Sequence, residues 1–161
     1  MFKISSALLL SHLLIVSASA LAQDPNTSTK VPEELPQLGS KGTQKTSLTG
    51  LKFDHFGDKV KRQFISGQNG MLAWFTLAKG AEVPWHTHEA EQISHVISGE
   101  MILTVGIDEK EYRLKRGDII VIPPHVPHKG RALVDTVEID VFSPIRKDWL
   151  EGTDQYLQDI D

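Results

Sequence analysis

Seven short apolar runs, each closed by a turn, constrain this chain more than any other feature. "VKRQFIS" (60–66) ends at "GQNG", "MLAWFTLA" (71–78) at "KG", and "QISHVIS" (92–98) at Gly99. "MILTVGI" (101–107) runs into "DEKE", "YRLK" (112–115) into "RGD", "IIVIP" (119–123) into "PHVPH", and "DTVEIDVF" (135–142) into "SP". Runs of this length, separated by Gly, Pro and Asp, specify an all-β sandwich or barrel. The last stretch, "RKDWLEGTDQYLQDID", changes period. Trp149, Leu150, Tyr156 and Leu157 fall at the spacing of one short helix.

The amino terminus reads differently. "MFK" is followed by the apolar "ISSALLLSHLLIVSASA" and then "ALAQ", with Ala20 and Ala22 at the small-residue positions that precede a signal-peptidase cut. The apolar run, broken by Ser11, His12 and Ser17, is short for crossing a bilayer. Residues 1–22 are therefore expected to be a signal peptide. Residues 23–50, rich in Ser, Thr, Pro, Gly and Lys, read as a flexible leader, and residues 51–161 as one folded domain. The expected location is periplasmic or secreted. A net charge of −4 with scattered basic residues gives no reason to expect nucleic acid, or a membrane after cleavage, as a partner. The absence of cysteine excludes disulfides and a lipid-anchoring thiol, so a hydrophobic core must hold the fold.

Within that frame, "PWHTHEAEQ" (84–92) places His86 and His88 two positions apart. On a regular strand both point to one face, as does Gln92, while Glu91 points away unless a bulge re-aims it. Such a pair is a weak signal alone, because surface strands carry it by chance. His128, after the Pro-bounded strand "IIVIP", offers a third imidazole. Three imidazoles with an amide or carboxylate oxygen suit one divalent ion (Zn, Ni, Fe or Mn) and leave positions open for a small-molecule substrate. Further on, Glu138, Asp140 and Phe142 share one strand face, and Arg146 follows the turn. Arg pairs a carboxylate, Asp moves a proton and Phe packs on a ring, which together describe a sugar-acid pocket. The plainer reading makes Phe142 core and Asp140–Arg146 an ion pair at a strand end. Trp85 reads as rim or barrel-end filler.

These segments resemble the cupin superfamily. Its first motif is matched by Gly80, His86-Thr-His88, Gln92 and Gly99, and its second by Gly117, Pro123 and His128. Gln92 stands where Glu is usual, His125 where Gly is, and Ala132 where Asn is. The turn at His125 must therefore accommodate a side chain. The resemblance implies a double-stranded β-helix, or jelly-roll barrel, that pairs as a homodimer. In order, "HxHxxEQ", "IPPxVPH" and "DVFSPxR" are similar to the small single-domain cupins of the KdgF pectin-degradation type. That likeness implies a metal set of His86, His88, Gln92 and His128. It also implies catalytic roles for Asp140, Phe142 and Arg146, in the linearisation of unsaturated monouronates by a metal-dependent, isomerase-like enzyme. Two alternatives stand beside it: a cupin dioxygenase or lyase, in which Glu91 serves as acid or base, and a non-catalytic envelope binder of a small carbohydrate or acid.

Overall fold

The computed structural model describes residues 43, 45–158 and 160. The expected signal peptide and most of the leader lie outside them. Ten strands form among the described residues: β1 (Asp54–Phe56), β2 (Val60–Ser66), β3 (Met71–Leu77), β4 (Glu82–His86), β5 (Glu91–Ser98), β6 (Glu100–Val105), β7 (Lys110–Lys115), β8 (Ile119–Ile122), β9 (His128–Ala132) and β10 (Thr136–Ser143). They make two antiparallel sheets, ordered β1-β2-β3-β10-β5-β8 and β4-β9-β6-β7. The faces of the two sheets pack together over one core, as the expected jelly roll requires.

Strand alternation builds the interior. On β3, Met71, Ala73, Phe75 and Leu77 are buried, whereas Thr76 is exposed. They meet Val96, Met101, Leu103, Leu114 and Ile122 in one cluster, each large side chain contributing about 1.5–3 kcal/mol by leaving water. On β5 and β10 the inward positions include Gln92, Ser94, Glu138 and Asp140 as well, all buried. Polar residues thus occupy core positions on two adjacent strands of the larger sheet.

All seven apolar runs are strands. The three further strands, β1, β4 and β9, are short and carry Pro, Gly or charge, so local pattern did not single them out. The expected C-terminal helix occurs as two turns, α1 (Lys147–Glu151) and α2 (Gln155–Gln158). Gly152 separates them, taking a left-handed conformation (φ +67°) whose N–H closes on the Asp148 carbonyl. Such short helices do not persist alone; Arg62 of β2 ties this segment down. Its guanidinium donates to Asp154 at 2.7 Å and Asp54 at 3.0 Å and lies 4.1 Å from the Trp149 ring. At the other end, Gln63 Nε2 donates to the carbonyls of Leu48 and Leu51, so the last residues of the expected leader lie on the barrel. His125 does sit in a left-handed turn, at φ +62°, and its N–H donates to the His88 carbonyl at 2.8 Å.

Candidate metal centre

Strand pairing, not spacing within one strand, assembles the imidazoles. His86 is the last residue of β4 and lies opposite His128, the first residue of β9. His88 lies beyond β4, in the loop to β5. Gln92 belongs to β5, in the facing sheet. The expectation that one regular strand carries His86, His88 and Gln92 is therefore corrected: the chain leaves the smaller sheet after His86 and enters the larger one before Gln92. Glu91 is exposed and pairs with Ser143 on the outward register. The irregularity in the β5–β10 pairing falls at Val137/Glu138, so no bulge turns Glu91 inward.

His86, His88 and His128 each bring a ring nitrogen within 4.8 Å of the others. Each Nδ1 lies 2.8–2.9 Å from a backbone carbonyl: Pro84, Ala90 and Val126 respectively. A carbonyl only accepts, so the proton sits on Nδ1 and the Nε2 lone pair is bare. Gln92 Nε2 donates to Ser94 Oγ at 2.9 Å, which leaves its Oε1 facing the rings. That oxygen lies 3.1 Å from His88 Nε2 and 3.2 Å from His128 Nε2. Two acceptors at that distance repel unless a cation stands among them. A proton is not that cation at neutral pH. Burial, then His128, pulls His86 down to about 2; burial, then Arg146, pulls His88 to about 4; burial lowers His128 too. The donor set fits a divalent ion with a taste for nitrogen and oxygen.

The cluster opens onto a cavity of about 370 Å³, the open solvent at its mouth included. Asp140, Phe142 and Arg146 all line it and are all buried. Ser94 accepts from Gln92 and donates to Asp140 Oδ1, forming a chain from Gln92 to the carboxyl. Burial raises Asp140 to about 6, against the opposing pull of Ser94, Gln92 and Arg146. Arg146 is not the partner of Asp140. It forks onto Asp148, Nε to Oδ1 at 2.9 Å and Nη2 to Oδ2 at 2.6 Å, and Nη2 reaches the Tyr156 hydroxyl at 3.2 Å. Its buried Nη1 has no hydrogen-bond partner among the described residues. Phe142 is both core and wall: its ring meets Trp149 at 5.0 Å and His88 at 5.5 Å, edge to face in each case.

Tyr156 was not anticipated as a site residue. Its ring stacks on His86 at 4.1 Å with 3° between planes, and nothing local to α2 signals that contact. Ser94 was legible in principle, being two positions beyond Gln92 on the same face. Trp85 lies outside the cavity lining, partly exposed beneath the Lys129 ammonium.

Known proteins share this arrangement of strands. The family model described as "Cupin domain" matches residues 73–142, from β3 to the end of β10. An RmlC-like cupin from Shewanella frigidimarina superposes with a TM-score of 0.61 at 30% identity, over 67% of this chain and 96% of its own. KdgF from Halomonas sp. superposes with a TM-score of 0.61 at 26% identity, over 67% and 99%. In sequence, human 3-hydroxyanthranilate 3,4-dioxygenase is 25% identical over 105 residues, 63% of this chain. The match spans only 32% of that enzyme's length. With 30% identity over nearly the whole of the RmlC-like cupin and the domain match across β3 to β10, the chain belongs to the cupin family.

Proposed function

We propose that the protein is a metal-dependent cupin enzyme that binds a small sugar acid and linearises unsaturated monouronates. One observation carries the reading: the bare nitrogens of His86 and His128 and the Gln92 oxygen line one cavity with a titratable carboxyl and an unpartnered guanidinium N–H. The similarity to KdgF supports the choice of substrate class. A divalent ion (Zn, Ni, Fe or Mn) held by His86, His88, Gln92 and His128 would supply Lewis acidity toward a substrate oxygen.

The chain's own groups do the rest. The fork to Asp148 fixes the Arg146 plane, so Nη1 presents one directed donor to the substrate carboxylate. Asp140, titrating near 6, moves a proton at the sugar as the enol becomes a ketone and the ring opens. Phe142 packs on the sugar and keeps water from the reacting face. Export through the signal peptide places this activity in the periplasm or outside the cell. Cell fractionation with amino-terminal sequencing, showing a start at Gln23, tests that part.

The reaction test uses metal-loaded protein and freshly prepared 4,5-unsaturated galacturonate. Ultraviolet absorbance of the double bond should disappear faster than in buffer, without oxygen, and His88→Ala should lose both the bound metal and the rate. Loss at the buffer rate would reject the reading. An oxygen requirement would favour dioxygenase chemistry, which the human relative's similarity supports as the second reading.

A further inference from the structure

Glu138 is the cavity-lining carboxyl that the mechanism above leaves unused. It projects inward from β10, two residues before Asp140 and away from the strand end that carries Arg146. It is 5% exposed and lines the cavity, and its carboxyl is not among the fully enclosed unpartnered atoms, so it keeps a little open surface there. Its partners across the sheet, Phe75 on β3 and Val96 on β5, are buried hydrocarbon. The β5–β10 pairing slips at Val137/Glu138, and such slips re-aim side chains next to sites. A buried polar group without a partner destabilises a fold, and the native exceptions ask for a ligand or water. The unpartnered Arg146 Nη1 in the same cavity asks the same.

We propose that Glu138 determines substrate specificity: its carboxyl hydrogen-bonds a hydroxyl or carbonyl oxygen of the bound sugar acid, while Arg146 holds the acid's carboxylate. This rests on the sugar-acid reading above. Burial and the neighbouring Asp140 push Glu138 well above the ordinary carboxylate range, so it meets the ligand as a neutral acid that donates to a lone pair. Asp140 lies roughly 7 Å along the strand at two residues' rise, so the two carboxyls can address different oxygens of one sugar.

The test compares wild type, Glu138→Gln and Glu138→Met, each loaded with zinc, by calorimetric titration with two probes. D-Galacturonate carries hydroxyls; cyclohexanecarboxylate is a ring acid without them. Glu138→Met should weaken galacturonate about tenfold, the effect of one lost hydrogen bond in a buried site, and leave cyclohexanecarboxylate within about twofold. Glu138→Gln, which keeps shape and hydrogen bonding, should stay near wild type for both. Thermal unfolding of both variants should be no lower than wild type. Unchanged galacturonate affinity in Glu138→Met would overturn the proposal, as would equal weakening of both probes, a Gln variant as weak as Met, or a wild type that binds neither. Discrimination between probes without ring-opening turnover would reject the reaction and leave this role standing. Turnover with galacturonate binding insensitive to Glu138 would reject this role alone.

Discussion

Asp140→Asn should make the metal-free protein more stable and the enzyme nearly inactive. The carboxyl titrates near 6 in the fold against an ordinary 3.8, and each tenfold in a proton equilibrium is worth 1.36 kcal/mol. The folded chain therefore holds this proton more tightly than the unfolded chain does. Below about pH 3.8 both states are protonated and the group is neutral in the balance. As pH climbs through 6, the fold loses stability, by about 3 kcal/mol in total on the alkaline side. Asparagine removes that loss and still accepts from Ser94. Urea unfolding of both metal-free proteins from pH 4 to 8 should give curves that agree at the acid end. They should diverge by about 2–3 kcal/mol at pH 7.5, the variant being the more stable. Turnover of unsaturated galacturonate should meanwhile fall by about 10²–10⁴, the usual contribution of a positioned proton-transfer group. Parallel stability curves would refute the claim that burial raises Asp140. Full turnover in the variant would remove it from the mechanism.

Other consequences are separable. Gly99→Ala forces a Cβ into the Asp135 carbonyl oxygen at φ +87°. It should cost about 3 kcal/mol or more in urea unfolding, and an unchanged midpoint would show that the β5–β6 turn opens freely. His125→Gly should be neutral or gain up to about 1 kcal/mol, since relief of the left-handed conformation exceeds the entropy glycine adds; a clear loss would give the imidazole a role. The outer face of the larger sheet carries Val141, Ile93 and Val121 in one cross-strand row beside Ile119, which is 61% exposed on edge strand β8. If the expected homodimer packs through this face, Val121→Lys should give a monomer by light scattering. A monomeric wild type would remove that expectation.

The sequence disclosed its elements unevenly, for reasons visible in particular residues. The run at 60–66 coincides with β2 because "GQNG" closes it and it carries the strand-favouring Val60, Phe64 and Ile65. "EVPWH" and "HKGRA" gave no comparable signal, since the first is a strand by pairing with the second, and the second by lying between it and β6. The histidines were legible as a spacing, yet the physical reason for their meeting was not: alternation on one strand does not place His88 or Gln92, whereas two facing sheets do. Glu91 and Gln92 are adjacent in sequence, and only the outward pairing of Glu91 with Ser143 separates their fates.

The least legible part of the site is its C-terminal wall. Arg146, Trp149 and Tyr156 lie on helices of five and four residues or at their edge, far too short to hold themselves. Arg62 reaches Asp154 across 92 positions of sequence and supplies the missing restraint. Breaking such a buried pair costs about 3–5 kcal/mol, because the remaining charge is left without a partner. That restraint keeps Tyr156 flat on His86 and lets Tyr156 receive the Arg146 donor. The imidazole cluster and the Arg146 guanidinium are thus joined through one tyrosine. A substitution at Arg62, behind the cavity wall at Trp149, would disturb both together, although no local motif connects β2 with either.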